Sequence, residues 1–475
     1  MKLTVREYLL LGVIASVAIA LRLYGLGLNG LWYDEIFSAE IARLPSLALI
    51  ERTANDVHPP LYYLLLRAWN LLTGSESEAR MRMLSVVFDV LGMFATAHLA
   101  WTIFKTRVAA WTALSIHALS PYAILYSQEL RMYSLLLLVS AISISAMFGL
   151  ADRATPGRVS VYWAATIASL YTHIFAVFLL LAQSLWFLTT KRTGGLTRGR
   201  WLVLQGTLGL AFSPWAWVIT RQMLWAGGYR DRGEWWIPRP PLKALIGVIY
   251  SLLGSDWLLL GAGGALTALL LVRQYRRPLE NRQNLLTACV LIVAVPISIA
   301  FIVSHITTPV FVSRFFTEVL PALWMLIVAG LLAFDRQAIR RASVALFLVL
   351  SARAIPQLNY DSSFKAPTPY REIVDYLANA PLGQVMVDQS PPTTFAWRWY
   401  TTKTPDLSTA LKNPTTFDSK TTLPSIKQHN GPVYLVWTGS GQPPKQLPLE
   451  PIGTLELATL KPFRSFTIAE YRQPE

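Results

Sequence analysis

"SPYAILYSQELRMYSLLLLVSAISISAMFGL", residues 120 to 150, falls into two unlike halves. From Tyr133 to Leu150 no residue is charged, and the run approaches the roughly 20 residues an α-helix needs to cross a bilayer. The half before it sets Gln128, Glu129 and Arg131 among Tyr122, Tyr126 and Tyr133. Ionisable groups at membrane depth are costly and point by default to function. Read as one helix, Tyr122, Tyr126, Glu129 and Tyr133 recur every three or four residues and share a face, while Ser127 and Arg131 lie on another. The stretch thus predicts a membrane span with chemistry at its edge.

The rest of the chain fits a polytopic membrane protein. Its 475 residues are 53% hydrophobic, 12% aromatic and only 15% charged, against about 25% charged in soluble domains. The net charge is +15. Residues 357–475 carry eleven Lys and Arg against ten Asp and Glu, so about +14 belongs to the apolar part. Those basic residues punctuate the spans, the positive-inside pattern, which argues against nucleic-acid binding. The one cysteine, Cys289, sits in an apolar run and says nothing of redox compartment.

Spans are read at about 8–24, 81–104, 108–126, 130–150, 159–177, 174–190, 201–219, 256–272, 285–303, 317–334 and 342–355, eleven in all. The N-terminus also has the shape of a signal peptide, with Ala18-Ile19-Ala20 as a small-residue site. An uncleaved first helix is the simpler expectation. The short loops 105–107, 151–158, 191–200, 273–282 and 335–341 are basic and share a side with Lys2 and Arg6. That side is cytoplasmic, and the C-terminus lies opposite it. Residues 242–254 are too short to span and suit a helix lying in or dipping into the outer interface. The organisation expected is an α-helical membrane domain over 1–355, with a long first outer loop at 25–80, and a small α/β domain over 356–475 outside the membrane. In that tail "YREIVDYLANA" has helical periodicity, while "GQVMVDQS" and "GPVYLVW" read as strands.

The unusual polar residues gather on the outer side: Asp34, Glu35, His58, Glu129, Arg131, His173, His305 and Arg314. Asp34 and Glu35 are adjacent, so their side chains diverge: one acid can face a reaction centre while the other holds a neighbour. Desolvation raises a carboxyl pKa, which suits a general base. Set against this is a solvated loop with Glu35 capping the helix "IFSAEIARL". His58, in "NDVHPPLYYLLLRAWNLL", can bind a ligand, metal or phosphate, or hydrogen-bond locally. Arg131 and Arg314 run against the positive-inside bias, and a guanidinium fork matches phosphate. Snorkelling is the bland alternative for Arg314, and pairing with each other for Glu129 and Arg131. His98 and His117 fall within spans and read as packing or helix–helix hydrogen bonds. No tight metal spacing such as HExxH occurs; a divalent metal is compatible with these residues but not indicated.

In order, "WYDEIFSAEIA", "DVHPPLYYLLLRAW", "YSQELRMYSLLLL", "YTH", "WWIPRPP" and "PVFVSRFF" resemble the GT-C membrane glycosyltransferases. The nearest group is glycosyltransferase family 39 and its bacterial relatives of the protein O-mannosyltransferase and aminoarabinose transferase type. The resemblance covers about residues 5–355. It implies a GT-C fold and an inverting transfer of a sugar from a polyprenyl-phosphate carrier to a hydroxyl of a lipid, glycan or protein, on the outer side of the plasma (inner) membrane. It implies Asp34 as the base, Glu35 as the acid by the acceptor, and Glu129 as a second-loop acid. Arg131 and Arg314 resemble the cations that hold the carrier phosphate. His58, Tyr62, Tyr126, Tyr133, His173, Trp235 and Trp236 are the remaining substrate-binding candidates, the two tryptophans as a cover over the donor. The C-terminal outer domain resembles the bacterial branch and is expected to shape the acceptor side.

A transporter or flippase for a lipid-linked sugar is the rival from another class. It would favour broken helices with polar groups at the bilayer midplane and an internal repeat; here the polar groups cluster at one surface and no repeat is evident. A non-catalytic carrier-binding protein is the third reading.

Overall fold

The computed structural model describes residues 4–56, 58–190, 195–225, 237–276, 280–359, 370–381, 383–388, 391–403, 414–417, 432–438, 456–463 and 466–472. Two compact units emerge, one of Met1–Tyr24 and Ile41–Asp361, the other of Gly25–Glu40 and Ser362–Glu475.

The helices begin with α1 (Val5–Leu23), α2 (Tyr33–Arg43), α3 (Ser46–Ala54), α4 (Leu61–Thr73) and α5 (Glu78–Phe104). There follow α6 (Arg107–Ala118), α7 (Pro121–Ser127), α8 (Tyr133–Asp152), α9 (Pro156–Thr172), α10 (Ala176–Thr189) and α11 (Arg198–Trp225). The last of the first unit are α12 (Lys243–Leu252), α13 (Trp257–Arg276), α14 (Glu280–Ile306), α15 (Leu320–Leu331) and α16 (Gln337–Asn359), with a 3-10 segment, Ser313–Val319, leading into α15. Many boundaries are written in the residues. Thr4 and Glu7 form a capping box at the start of α1, and Thr106, Ser120 and Thr155 cap α6, α7 and α9 with their hydroxyls. Pro121 and Pro156 occupy first-turn positions, where a missing N–H is harmless.

Five described helical segments are long and apolar enough to cross a membrane: Glu78–Phe104, Tyr133–Asp152, Arg198–Gln222, Asn284–Ile306 and Ser313–Leu331. Two bent pairs bring the number to seven if each counts as one span. The expected single span at 108–126 is one of these: α6 and α7 meet at 56°, where Pro121 cannot continue the helical hydrogen bonding. The short apolar stretch at 242–254 is the other, α12 turning by 99° into α13.

At the centre of this unit every residue of α15 is buried, and so is most of α8. Lipid tails give helices no hydrophobic reason to associate, so close packing and polar bridges hold them. Ser143 of α8 bridges Thr166 of α9 at 2.9 Å and accepts from Gln183 of α10 at 3.1 Å; Tyr162 donates to Gln183 at 3.1 Å. Gly330 lets α15 approach α13 closely, since a Cβ there would lie 2.6 Å from the Leu266 carbonyl oxygen. A buried charge cluster ties three helices: Arg22 of α1 pairs with Asp89 of α5, and His117 Nε2 of α6 lies 3.3 Å from the same carboxylate. The His117 Nδ1 also meets Thr96 at 3.0 Å. His117 thus makes the helix–helix contact its place in a span predicts.

In the second unit a five-stranded sheet has the order β2 (Thr415–Phe417), β1 (Gln384–Asp388), β3 (Val433–Thr438), β5 (Phe466–Arg472), β4 (Glu456–Phe463). β1 runs parallel to β2 and β3, with Val385 opposite Tyr434; β5 is antiparallel to β3 and β4. Helices α17 (Tyr370–Ala378) and α18 (Pro391–Lys403) pack on one another, and α18 against β1. They also hold the segment 25–40. Tyr400 accepts a hydrogen bond from the Leu31 amide at 2.6 Å, and Arg371 donates to the carbonyls of Gly27 and Leu28. Arg398 faces Glu40 at 3.4 Å.

Candidate active site

In the first unit the site grows from three chain breaks. The first precedes α4. The backbone carbonyls of Ala54 and Asp56 accept from the Gln222 amide of α11, at 2.6 and 2.8 Å, and Pro59-Pro60 leads into α4. His58 is thereby fixed and buried, only 8% exposed. The second break separates α9 from α10, where His173 caps α9 and is 1% exposed. The third is the segment 128–132 between α7 and α8, carrying Glu129 and Arg131.

This third break corrects the expectation of one continuous helical face. Helix α7 ends at Ser127 and α8 begins at Tyr133. Gln128 is drawn away, donating to the backbone carbonyls of Leu21, Arg22 and Tyr24 at 3.2, 3.2 and 2.9 Å. Those are carbonyls that the end of α1 leaves without helical partners. The tyrosines stay in a row despite the break: Tyr122 and Tyr126 rings are 4.5 Å apart, Tyr126 and Tyr133 4.9 Å. Tyr122 is pinned through a 2.7 Å hydrogen bond to Thr317, in the 3-10 segment that carries Arg314.

Around these breaks the predicted residues converge. The rings of His58 and His173 are 5.4 Å apart, and each also meets Phe315. Tyr133 lies 6.3 Å from His173. The guanidinium of Arg314 stands 5.7 Å from the Phe315 ring centre. Arg131 is buried and Arg314 half-buried. Glu129 and Arg314 both lie within electrostatic reach of Tyr126. Burial holds the His58 imidazole well below its ordinary 6.5, and the positive charges of Arg131 and Arg314 push the same way. His58 is therefore neutral at pH 7.

The imidazoles have spare hydrogen-bonding capacity. His173 Nδ1 accepts from the Phe175 amide at 3.2 Å, so the neutral ring carries its proton on Nε2. Neither that Nε2 nor His58 Nδ1 has a hydrogen-bond partner among the described residues, and neither does the buried carboxylate of Glu318. Buried polar atoms are nearly always satisfied, so such a set, beside two guanidinium groups, suits an anionic ligand with hydroxyls.

Tyr62 belongs to the supporting layer. Its hydroxyl meets Ser85 Oγ at 3.1 Å, and Ser85 donates to the Arg131 carbonyl at 3.4 Å, so Tyr62 fixes the backbone that carries Arg131. His305 is exposed and bonds to the Phe301 carbonyl of its own helix. Trp235 and Trp236 lie outside the described residues. The sequence assigns no role to Gln128, Glu318 or the Arg22–Asp89 pair; the signal it offers for the last is a charge of each sign inside apolar runs.

In the second unit, Asp34 and Glu35 open α2. Glu35 is buried, and its Oε2 accepts from the Trp32 amide at 3.3 Å. It thus caps its own helix as the third-residue acid of a capping box does. Asp34 is half-buried, and its carbonyl accepts from Ser38 at 2.9 Å. The neighbouring carboxylates have unlike settings, as adjacency on a helix requires.

Among the described residues no group of three or more His, Cys, Asp or Glu side chains is placed to hold a metal ion. No protein-family profile and no curated protein sequence matches the chain. Solved structures do. ArnT from Cupriavidus metallidurans in the apo state aligns with a TM-score of 0.63 at 14% identity, over 98% of both chains. The same protein bound to undecaprenyl phosphate gives 0.63 at 15% identity, again over 98% of each. The chain has the GT-C fold.

Proposed function

We propose that this protein is an inverting membrane glycosyltransferase that moves a sugar from a polyprenyl-phosphate donor to a hydroxyl of a cell-envelope acceptor. The observation that carries the reading is the set of buried Arg131, His58 and His173 with half-buried Arg314, a set with imidazole nitrogens that lack partners among the described residues. A lipid phosphate leaving group gathers negative charge as its bond to the anomeric carbon breaks. Fixed guanidinium groups and the His173 Nε2–H then stabilise the transition state more than the ground state. The likeness to ArnT, one of whose structures holds undecaprenyl phosphate, supports a lipid-linked donor.

In this reading Asp34 is the base. The acceptor oxygen attacks the anomeric carbon, its proton passes to Asp34, and the phosphate departs with the bonding electrons. Glu35, engaged with its own helix start, positions α2. Glu129 and the tyrosine row of Tyr126 and Tyr133 contact the sugar. The chain crosses the plasma membrane eleven times, N-terminus cytoplasmic, with residues 356–475 outside as an acceptor-side domain. The sugar is a hexose or a pentose.

The test is sugar transfer in proteoliposomes from a panel of polyprenyl-phosphate hexoses and pentoses. Asp34→Asn should abolish turnover in a protein that still melts normally. Full turnover by that variant would remove Asp34 from the chemistry. Flux of the donor across the bilayer without a glycosidic product would replace the reading by transport.

A further inference from the structure

A second candidate binding region lies at the other end of the first unit's helices. There α5, α8, α9, α10 and the start of α14 surround a groove of about 800 Å³. It is remote from the donor cluster. Helix α8 begins with Tyr133, beside His173, and ends with Asp152 at the groove; its 20 residues span about 30 Å.

Two walls of the groove have the same design. On α5 the lining positions include Ala95, His98, Thr102 and then Lys105, just past the helix end, with Trp101 and Ile103 beside them; on α8 they include Ile142, Ser145, Gly149 and Asp152, with Ala146, Phe148 and Ala151 beside them. Each set of four named first follows the three-and-four spacing of one helical face. Each runs from an apolar residue deep in a span to a charge at the span's end. Midway the walls are joined by Thr102 and Ser145, whose hydroxyls are 3.2 Å apart. The third wall is the first turn of α9. Arg158 is held at the mouth by donating to the carbonyls of Gly149 and Arg153, at 2.8 and 2.9 Å, with Asp152 3.8 Å away. Apolar depth under a polar, net-cationic rim matches an amphiphile that keeps its head at the interface.

We infer that this groove binds a membrane phospholipid with an anionic phosphodiester headgroup, its phosphate at Lys105 and Arg158 and an acyl chain along the α5–α8 seam. Two cations against one acid at the rim favour an anionic over a zwitterionic head. The loop "ADRATPGR" at the rim supplies one further positive charge, Arg153, whereas Arg107 of "KTR" is paired with Glu7. The inference is independent of the glycosyltransferase reading.

Native mass spectrometry of the full-length, delipidated protein tests it, with phosphatidylglycerol and phosphatidylcholine as probes. The wild type should retain one phosphatidylglycerol under conditions that release phosphatidylcholine. Lys105→Glu should weaken that retention about tenfold or more, by reversing a rim charge. Gly157→Leu should do so by filling the groove, since a Cβ at Gly157 meets nothing within 4 Å. Both variants should melt like the wild type. Equal retention of the two lipids, or unchanged retention in both variants, overturns the site. Preferential capture of undecaprenyl phosphate would overturn the phospholipid as occupant.

Discussion

His58 and His173 are 115 positions apart in the chain and their rings are 5.4 Å apart in the fold, tilted by 38°. Both are buried, with Arg131 and Arg314 adding positive charge around His58. This juxtaposition makes a pH prediction. The His58 pKa is lowered in the fold, so the unfolded chain binds the extra proton first. Stability from a neutral His58 is complete above about 6.5 and is lost as pH falls below it, by at most about 1.4 kcal/mol per pH unit. Melting in detergent from pH 7.5 to 5 should show a decline, and His58→Gln should flatten it. Parallel curves for the two proteins would mean that His58 does not titrate in this window.

Removing either guanidinium should damage donor use. Charge-assisted hydrogen bonds are worth about 1.5–3 kcal/mol, so Arg131→Ala and Arg314→Ala should each lower kcat/KM for the polyprenyl-phosphate donor by about 10- to 100-fold. Lysine should restore part of it, because it keeps the charge but not the fork. Donor titrations at saturating acceptor make the measurement.

Gln128 should behave as a positioning residue. Gln128→Ala leaves the carbonyls of Leu21 and Arg22 in α1, and of Tyr24 just past it, without this donor and should cost about 1–3 kcal/mol. Gln128→Glu should be worse, since a carboxylate there faces carbonyl oxygens. If the segment 128–132 holds Arg131 for the donor, KM for donor should rise while KM for acceptor stays constant. Equal changes in both constants would reduce Gln128 to a purely structural role.

The Arg22–Asp89 pair is fully buried, so breaking it leaves a charge stranded. Asp89→Asn should destabilise by about 3–5 kcal/mol, and Arg22→Met combined with Asp89→Leu should recover much of that. Thermal melts of Asp89→Asn and of the Arg22→Met/Asp89→Leu double variant give the comparison.

Tyr400→Phe removes the acceptor for the Leu31 amide within the second unit, a loss of about 1 kcal/mol. Limited proteolysis should then cut within 25–32 faster than in the wild type. An unchanged cleavage rate would show that Arg371 and Arg398 hold the segment unaided.

Sequence alone determined what is local or periodic. The apolar runs of α5 and α8 are legible because span length follows from bilayer thickness. The capping acid Glu35 is legible because a cap is set within four residues of itself. The ordered motifs likewise singled out His58, Arg131, His173 and Arg314, since charged and imidazole groups at span ends are costly enough to stand out. Tertiary structure decided what depends on partners distant in sequence. "YSQELRMY" reads as helix by period, yet Gln128 bonds to the end of α1 and interrupts it, a contact 104 to 107 residues long in the chain. Tyr62 and Tyr133 look alike in sequence. One is held by Ser85 and the other stands beside His173, because packing, not residue type, assigns each hydroxyl its neighbour.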